Sequence, residues 1–204
     1  HYPNSWAGTG QDYSLRLHID DLVRLISRLK LKKVHLVGHG SGGTMALLTA
    51  LIYPDLVRSA ISADGPISSV VTASAEGSWL ARQRNAAIDS ARQLFKHGNA
   101  SKGLNTYLAL DYGEEERRSL PPPFQRIAAD NVRALDAQLR SDDHTGMPRC
   151  QDLRRLTPPP LLVLEGESSP TFYQSAFDGF ANCAPKTERA KIQSAGHGMI
   201  YAKP

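Results

Sequence analysis

The sequence predicts an α/β protein: a mostly parallel sheet flanked by helices, interrupted by a helical insertion. Three observations carry this. Short apolar runs alternate with helical patterns at both ends of the chain. The middle, from Ile67 to about Cys150, shows helical periodicity and no strand-like run. The strand-like runs stop in glycine-rich or polar turns, and in parallel sheets chemistry collects beyond such strand ends.

The elements follow in order. The first 13 residues, with Pro3, Asn4, Gly8, Gly10 and Asp12, read as loop. Ser14 opens an amphipathic helix whose Leu15, Ile19, Leu22, Val23, Ile26 and Leu29 recur every three or four positions. Asp20 and Asp21 lie towards its start and Lys30, Lys32 and Lys33 at its end, which suits the helix dipole. A strand, Val34 to Val37, stops in Gly38-His39-Gly40-Ser41-Gly42-Gly43. Thr44 to Tyr53 is apolar nearly all round and reads as a buried helix ended by Pro54. Val57 to Ala63 is a second strand, ending in Asp64-Gly65-Pro66.

The insertion carries predicted helices over Trp79 to His97, near Leu104 to Leu110 and over Phe124 to Leu139, with a break at Pro121-Pro122-Pro123. Leu161 to Leu164 is apolar at every position, as expected of a strand buried on both faces. A helix over Phe172 to Cys183 and a weak strand, Arg189 to Gln193, lead into Gly196-His197-Gly198. Residues 1–66 and 151–204 therefore read as one core, and 67–150 as the helical insertion.

Composition narrows the function. Apolar residues make up 41% of the 204, enough for one buried core. The net charge of +4 is spread along the chain, which fits a solvated surface and not a nucleic-acid footprint. No run of 18 apolar residues offers a membrane span, and the chain opens without a signal-peptide pattern. The expected location is cytoplasmic. Cys150 and Cys183 match no metal or redox spacing and read as free, buried or half-buried thiols. No metal and no cofactor is expected. Glu114-Glu115-Glu116-Arg117-Arg118 reads as a solvated charge run, and His144 as a loop residue.

The glycine turn allows two chemistries. Gly38, Gly40 and Gly43 fit the dinucleotide loop Gly-x-Gly-x-x-Gly, with Asp64 placed to take ribose hydroxyls. That reading gives His197 no role. The same turn fits a nucleophile elbow, Gly-x-Ser-x-Gly, except that Gly40 holds the nucleophile position and Ser41 falls one residue late.

The longer pattern resembles the α/β-hydrolase superfamily, in a capped, haloalkane-dehalogenase-like or esterase-like branch. The residues that carry the resemblance are Tyr13-Ser14, Asp20-Asp21-Leu22, Val34-His35-Leu36-Val37-Gly38-His39, Gly42-Gly43 and Tyr53-Pro54-Asp55, then Leu161 to Met199 with its Gly-His. The resemblance implies a partial α/β-hydrolase fold in which the insertion is a cap domain. It implies a hydrolase of ester or related bonds in small molecules, using a Ser-His-Asp type site.

Three departures stand out. Gly40 replaces the elbow serine. Ser169 stands where the family often carries its acid after the late strand, whereas Asp64 matches the acid position of the dehalogenase-like branch. The family's first strands and last helix are absent, so a fragment of a longer chain, or a partner over the open edge, is expected. The partner expected of the site is a small-molecule substrate, with no nucleic acid and no membrane; homo-oligomerisation is left open.

Candidate catalytic residues are then Ser41, Asp64 and His197. Gly38, His39, Gly40 and Gly42 form the elbow and the oxyanion site. Ser41 has two candidate roles, an oxyanion donor through its backbone N–H or the nucleophile of a shifted elbow. Glu167 is a weaker candidate acid. Two further readings remain: a non-catalytic member of the fold that binds a ligand or partner, and a dinucleotide-binding oxidoreductase domain.

Overall fold

The structure is a computed structural model and describes residues 13–141, 148–155 and 158–202. The predicted loop before residue 13 and His144 lie outside the described residues.

Strands β1 (Val34–His39), β2 (Val57–Ala63), β3 (Leu161–Gly166) and β4 (Glu188–Ile192) form a parallel sheet in the order β1-β2-β3-β4. Leu36 lies level with Ala60, and Ala60 with Leu161, so the three side chains share one face. Helices α1 (Leu15–Arg28), α2 (Ser41–Ile52) and α9 (Thr171–Cys183), with the short α8 (Cys150–Leu153), contribute to the core on that face. Leu15, Ile19, Leu47, Leu48, Phe177 and Phe180 fill it. Ser14 starts α1 by accepting a hydrogen bond from the Leu17 N–H.

The opposite face differs from expectation. Val37 on the edge strand β1 is 74% exposed. Leu162 and Leu164 are half-buried, so β3 is not covered equally on both sides. Among the described residues, that face carries only a small cluster, Ala63, Ala195 and Met199, with Leu164 and Ile192 against it. Glu165 of β3 is buried, which its carboxylate tolerates with the Lys191 ammonium 2.9 Å away.

Residues 68–140 form the helical block: α3 (Ser68–Val71), α4 (Ala75–Lys96), α5 (Ala100–Ser119), α6 (Pro122–Asp130) and α7 (Val132–Arg140). Helix α4 starts earlier than predicted because Ser74 caps it through the Gly77 N–H. Helix α5 is much longer than Leu104 to Leu110, and bends at Gly113, where φ is 70°. The single helix expected over Phe124 to Leu139 is two. It breaks at Asn131, whose amide donates back to the Ile127 carbonyl, while α6 begins within the proline run, where proline fits the first turn.

Cys150 and Cys183 are joined in a disulfide, which corrects the reading as free thiols. They stand 33 residues apart and meet because α8 packs on α9, so no local spacing signals the pair. The bond ties the chain's return from the helical block to the core.

Candidate active site

The turn between β1 and α2 is built on close backbone approach. A Cβ on Gly38 would lie 2.1 Å from the Gly42 carbonyl oxygen, so only glycine fits. Gly40 caps α2 with φ 55° and ψ −125°, and its N–H donates to the Ala63 carbonyl across the sheet. Among the described residues beyond its two chain neighbours, a Cβ built on Gly40 would meet two atoms within 4 Å, both on His197: Nε2 at 3.5 Å and Cε1 at 3.6 Å. Any side chain at this position is therefore aimed at His197. Ser41 opens α2 with an exposed side chain. Among the described residues its hydroxyl makes no hydrogen bond to His197.

His197 lies between β4 and α10 (Met199–Ala202) and is 3% exposed. Its Nδ1 is 3.1 Å from Asp64 Oδ2. Asp64 sits just past β2 with φ 46°, a left-handed conformation that Asp tolerates better than most residues. The Ser169 hydroxyl donates to the same Oδ2 at 2.5 Å. A carboxylate facing Nδ1 holds the proton there, which leaves the Nε2 lone pair turned towards Gly40. Ser169 occupies the alternative acid position, and in three dimensions it hydrogen-bonds the Asp64 carboxylate at the end of the neighbouring strand.

Aromatic and histidine rings enclose the imidazole. Tyr173 stacks on it, with centroids 4.4 Å apart and planes at 15°, and Tyr112 meets it edge-on at 5.0 Å. His39 Nε2 is 2.6 Å from the His197 carbonyl oxygen and donates to it. Burial, and then the neighbouring His197, lower the His39 pKa. Glu167 does not reach His197; its exposed carboxylate accepts the Ser194 N–H at 2.9 Å.

The helical block completes the site with residues that no sequence motif singled out. The Arg84 guanidinium of α4 lies 2.5 Å from Asp111 Oδ1 on α5, and the Tyr173 hydroxyl donates to that same oxygen at 2.6 Å. Burial alone would push the Asp111 carboxyl up, but Arg84, His197 and the Tyr173 hydroxyl together hold it below the usual range. Beyond the Gly113 bend, Glu116 accepts the Gly198 N–H at 3.0 Å, so part of the charge run read as solvated grips the loop of His197. Burial and long sequence separation hide these contacts from pattern reading: Asp111 and Tyr173 are 62 residues apart.

The site opens into a cavity of about 580 Å³ between the core and the helical block. His39, Gly40, Ser41, Arg84, Tyr107, Asp111, Phe172 and His197 line it, among others. In the helical block, Tyr107 lines the cavity and Trp79 is 52% exposed.

The buried Arg84–Asp111 pair yields one prediction. Asp111→Ala leaves a guanidinium buried without its partner, and should lower stability by about 3 kcal/mol in urea unfolding. The sign with pH follows from the depressed carboxyl. Its stabilisation is complete above the ordinary Asp value of about 4 and is lost as pH falls through the lowered native value. The variant should therefore show a flatter decline of stability on acidification than the parent.

A parallel sheet, a glycine turn aimed at a buried histidine and a carboxylate behind that histidine define a hydrolase-type scaffold. The chain belongs to the alpha/beta hydrolase fold family, whose pattern matches residues 2–204. It is 26% identical over 204 residues to a 2-(acetamidomethylene)succinate hydrolase of Mesorhizobium japonicum, covering 94% of this chain and 67% of that one. A segment of 46 residues is 54% identical to ethanol acetyltransferase 1 of Eremothecium cymbalariae, covering 22% of this chain and 13% of that protein. Among solved structures, a carboxylesterase of Bacillus subtilis superposes with a TM-score of 0.69 at 19% identity, over 98% of this chain and 66% of that one, a likeness of fold. The chain thus spans from about an eighth to about two thirds of the length of these three proteins.

Proposed function

We propose that the chain is a hydrolase of ester or related bonds in small molecules, with His197 as base, Asp64 as the acid that orients it, and Ser169 supporting Asp64. The observation that carries this is the His197–Asp64 pair, with Nε2 turned to the space where a side chain of Gly40 would lie. Ser41 serves through its backbone N–H, as the oxyanion donor that follows the nucleophile position. The helical block, residues 67–150, is the cap that closes over the substrate.

Gly40 changes the mechanism. With no hydroxyl to form an acyl-enzyme, His197 Nε2 takes a proton from a water in the cavity, and the hydroxide attacks the substrate carbonyl. The proton then passes to the leaving alkoxide, giving acid and alcohol. Loss of a triad member costs on the order of 10⁴–10⁶ in rate, so turnover is slow. The relative from Mesorhizobium japonicum is named for hydrolysis of an acetamidomethylene succinate, which supports a small, polar acyl compound as the substrate class.

The test is hydrolysis of p-nitrophenyl acetate by the chain and by His197→Ala. Turnover that falls to the buffer rate in the variant supports the reading. Equal rates in both would overturn it and favour the non-catalytic, ligand-binding reading, which the absent nucleophile also suits. The dinucleotide reading is weaker, because the Asp64 carboxylate is engaged by His197 and Ser169.

Among the described residues no helix is long and apolar enough to cross a membrane. A cytoplasmic location stays a proposal, and the Cys150–Cys183 bond pulls against it, because such bonds persist mainly in oxidising compartments. A homo-oligomer is suggested only by the position of β1 at the sheet edge among the described residues.

A further inference from the structure

We propose that Glu116 is a positioning residue for His197: its carboxylate, seated between Gly196 and Gly198, fixes the loop that carries the base, so that the helical block sets the base in place. This rests on the hydrolase reading above and adds a residue to it.

The two glycines that flank His197 carry the argument. Neither adopts a positive φ, so the backbone there does not itself demand glycine. What bars a side chain is Glu116. A Cβ on Gly196 would lie 2.5 Å from Glu116 Oε2, and one on Gly198 would lie 2.7 Å from Oε1. The Gly198 N–H closes this cradle by donating to Oε1 at 3.0 Å. The Gly-His-Gly sequence is therefore shaped to receive a carboxylate from 82 positions earlier in the chain.

Helix α5 delivers that carboxylate through its bend. Gly113 has φ 70° and ψ 167°, a conformation open to little but glycine. Before the bend, Tyr112 meets the His197 ring edge-on; beyond it, Glu116 reaches the loop backbone. The rest of the charge run is engaged elsewhere. Arg117 donates to Asn105 and Glu114, and Arg118 lies 3.7 Å from Glu114. Among the described residues, the Gly198 N–H is the one donor to the Glu116 carboxylate. Glu116 is not among the residues that line the cavity, so it acts on the base and not on the substrate.

The experiment measures p-nitrophenyl acetate hydrolysis in the Gly40→Ser chain, with Tm in parallel. Glu116→Ala should lower kcat by about 10²-fold, the cost of a catalytic group displaced by about 1 Å, and leave KM unchanged. Glu116→Gln, whose amide oxygen still accepts the Gly198 N–H, should recover most of that loss. Gly196→Ala pushes the carboxylate out of its seat and should cost as much as Glu116→Ala, with no further loss when the two are combined. An unchanged kcat in Glu116→Ala, a loss carried by KM, or additive losses in the pair would overturn the proposal. Should Glu116→Ala fail to fold, Gly196→Ala decides alone, and full kcat there overturns it. NMR of the otherwise unaltered chain reads the positioning without turnover. The His197 ring signals should be sharp in the parent and in Glu116→Gln, and broadened in Glu116→Ala; identical signals in all three would overturn the proposal. Failure of the hydrolase reading looks different: then neither the chain nor Gly40→Ser exceeds His197→Ala in hydrolysis, and the ring signals still decide the role of Glu116.

Discussion

Gly40→Ser should raise p-nitrophenyl acetate turnover on the order of 10³-fold and make the protein react with a fluorophosphonate at position 40. The geometry predisposes the site to this gain. The backbone at position 40 already holds φ 55° and ψ −125°, and its Cβ direction ends 3.5 Å from His197 Nε2. A serine hydroxyl placed there needs no movement of α2 or of the His197 loop. The nucleophile, the base and the acid would then form the usual relay, and the variant would regain much of what a missing triad member costs. The strain of a non-glycine residue at positive φ should lower stability by about 1 kcal/mol, so a slightly lower Tm should accompany the gain. Intact and peptide mass after labelling decides the matter. An adduct on Ser41 in the unaltered chain would instead revive the shifted elbow.

Asp64→Asn in the Gly40→Ser background should then cost about 10⁴ in kcat. The carboxylate accepts hydrogen bonds from the Nδ1–H of His197 and from the Ser169 hydroxyl on one oxygen. An amide there offers a donor in place of an acceptor, favours the wrong tautomer, and cannot stabilise the imidazolium. Asn also tolerates the left-handed backbone that Asp64 adopts at φ 46°, so the fold should stand. Steady-state kinetics with Tm measured in parallel separates the two effects. Full activity at an unchanged Tm would remove Asp64 from the role and return attention to the region after β3.

Much of the core was legible in the chain. Period and punctuation located β2 at Val57–Ala63 as read, and put β1, β3, β4, α1, α2 and α9 within a few residues of where they lie. The misreadings cluster where packing outvotes local pattern. Leu161 to Leu164 reads as a strand buried twice over, yet Leu162 and Leu164 are half-buried, because local hydropathy does not count the layers stacked on a sheet. The helix over Phe124 to Leu139 breaks at Asn131, whose side chain satisfies the Ile127 carbonyl. Cys150 and Cys183 looked like free thiols because their bond depends on α8 meeting α9.

The site divides in the same way. The sequence by itself determined the family, the glycine turn, the missing hydroxyl at Gly40, and Asp64 and His197 as the titratable residues just beyond their strands. These are local features, carried by residue type and spacing along one segment. Only the tertiary structure decided that Ser169 supports Asp64 and leaves Glu167 aside, that Arg84, Asp111 and Tyr173 form a buried network against His197, and that Glu116 holds the His197 loop. Those contacts join residues between 24 and 105 positions apart. Pairing at such separations is set by how helices pack on the sheet, and no short stretch of sequence carries that information.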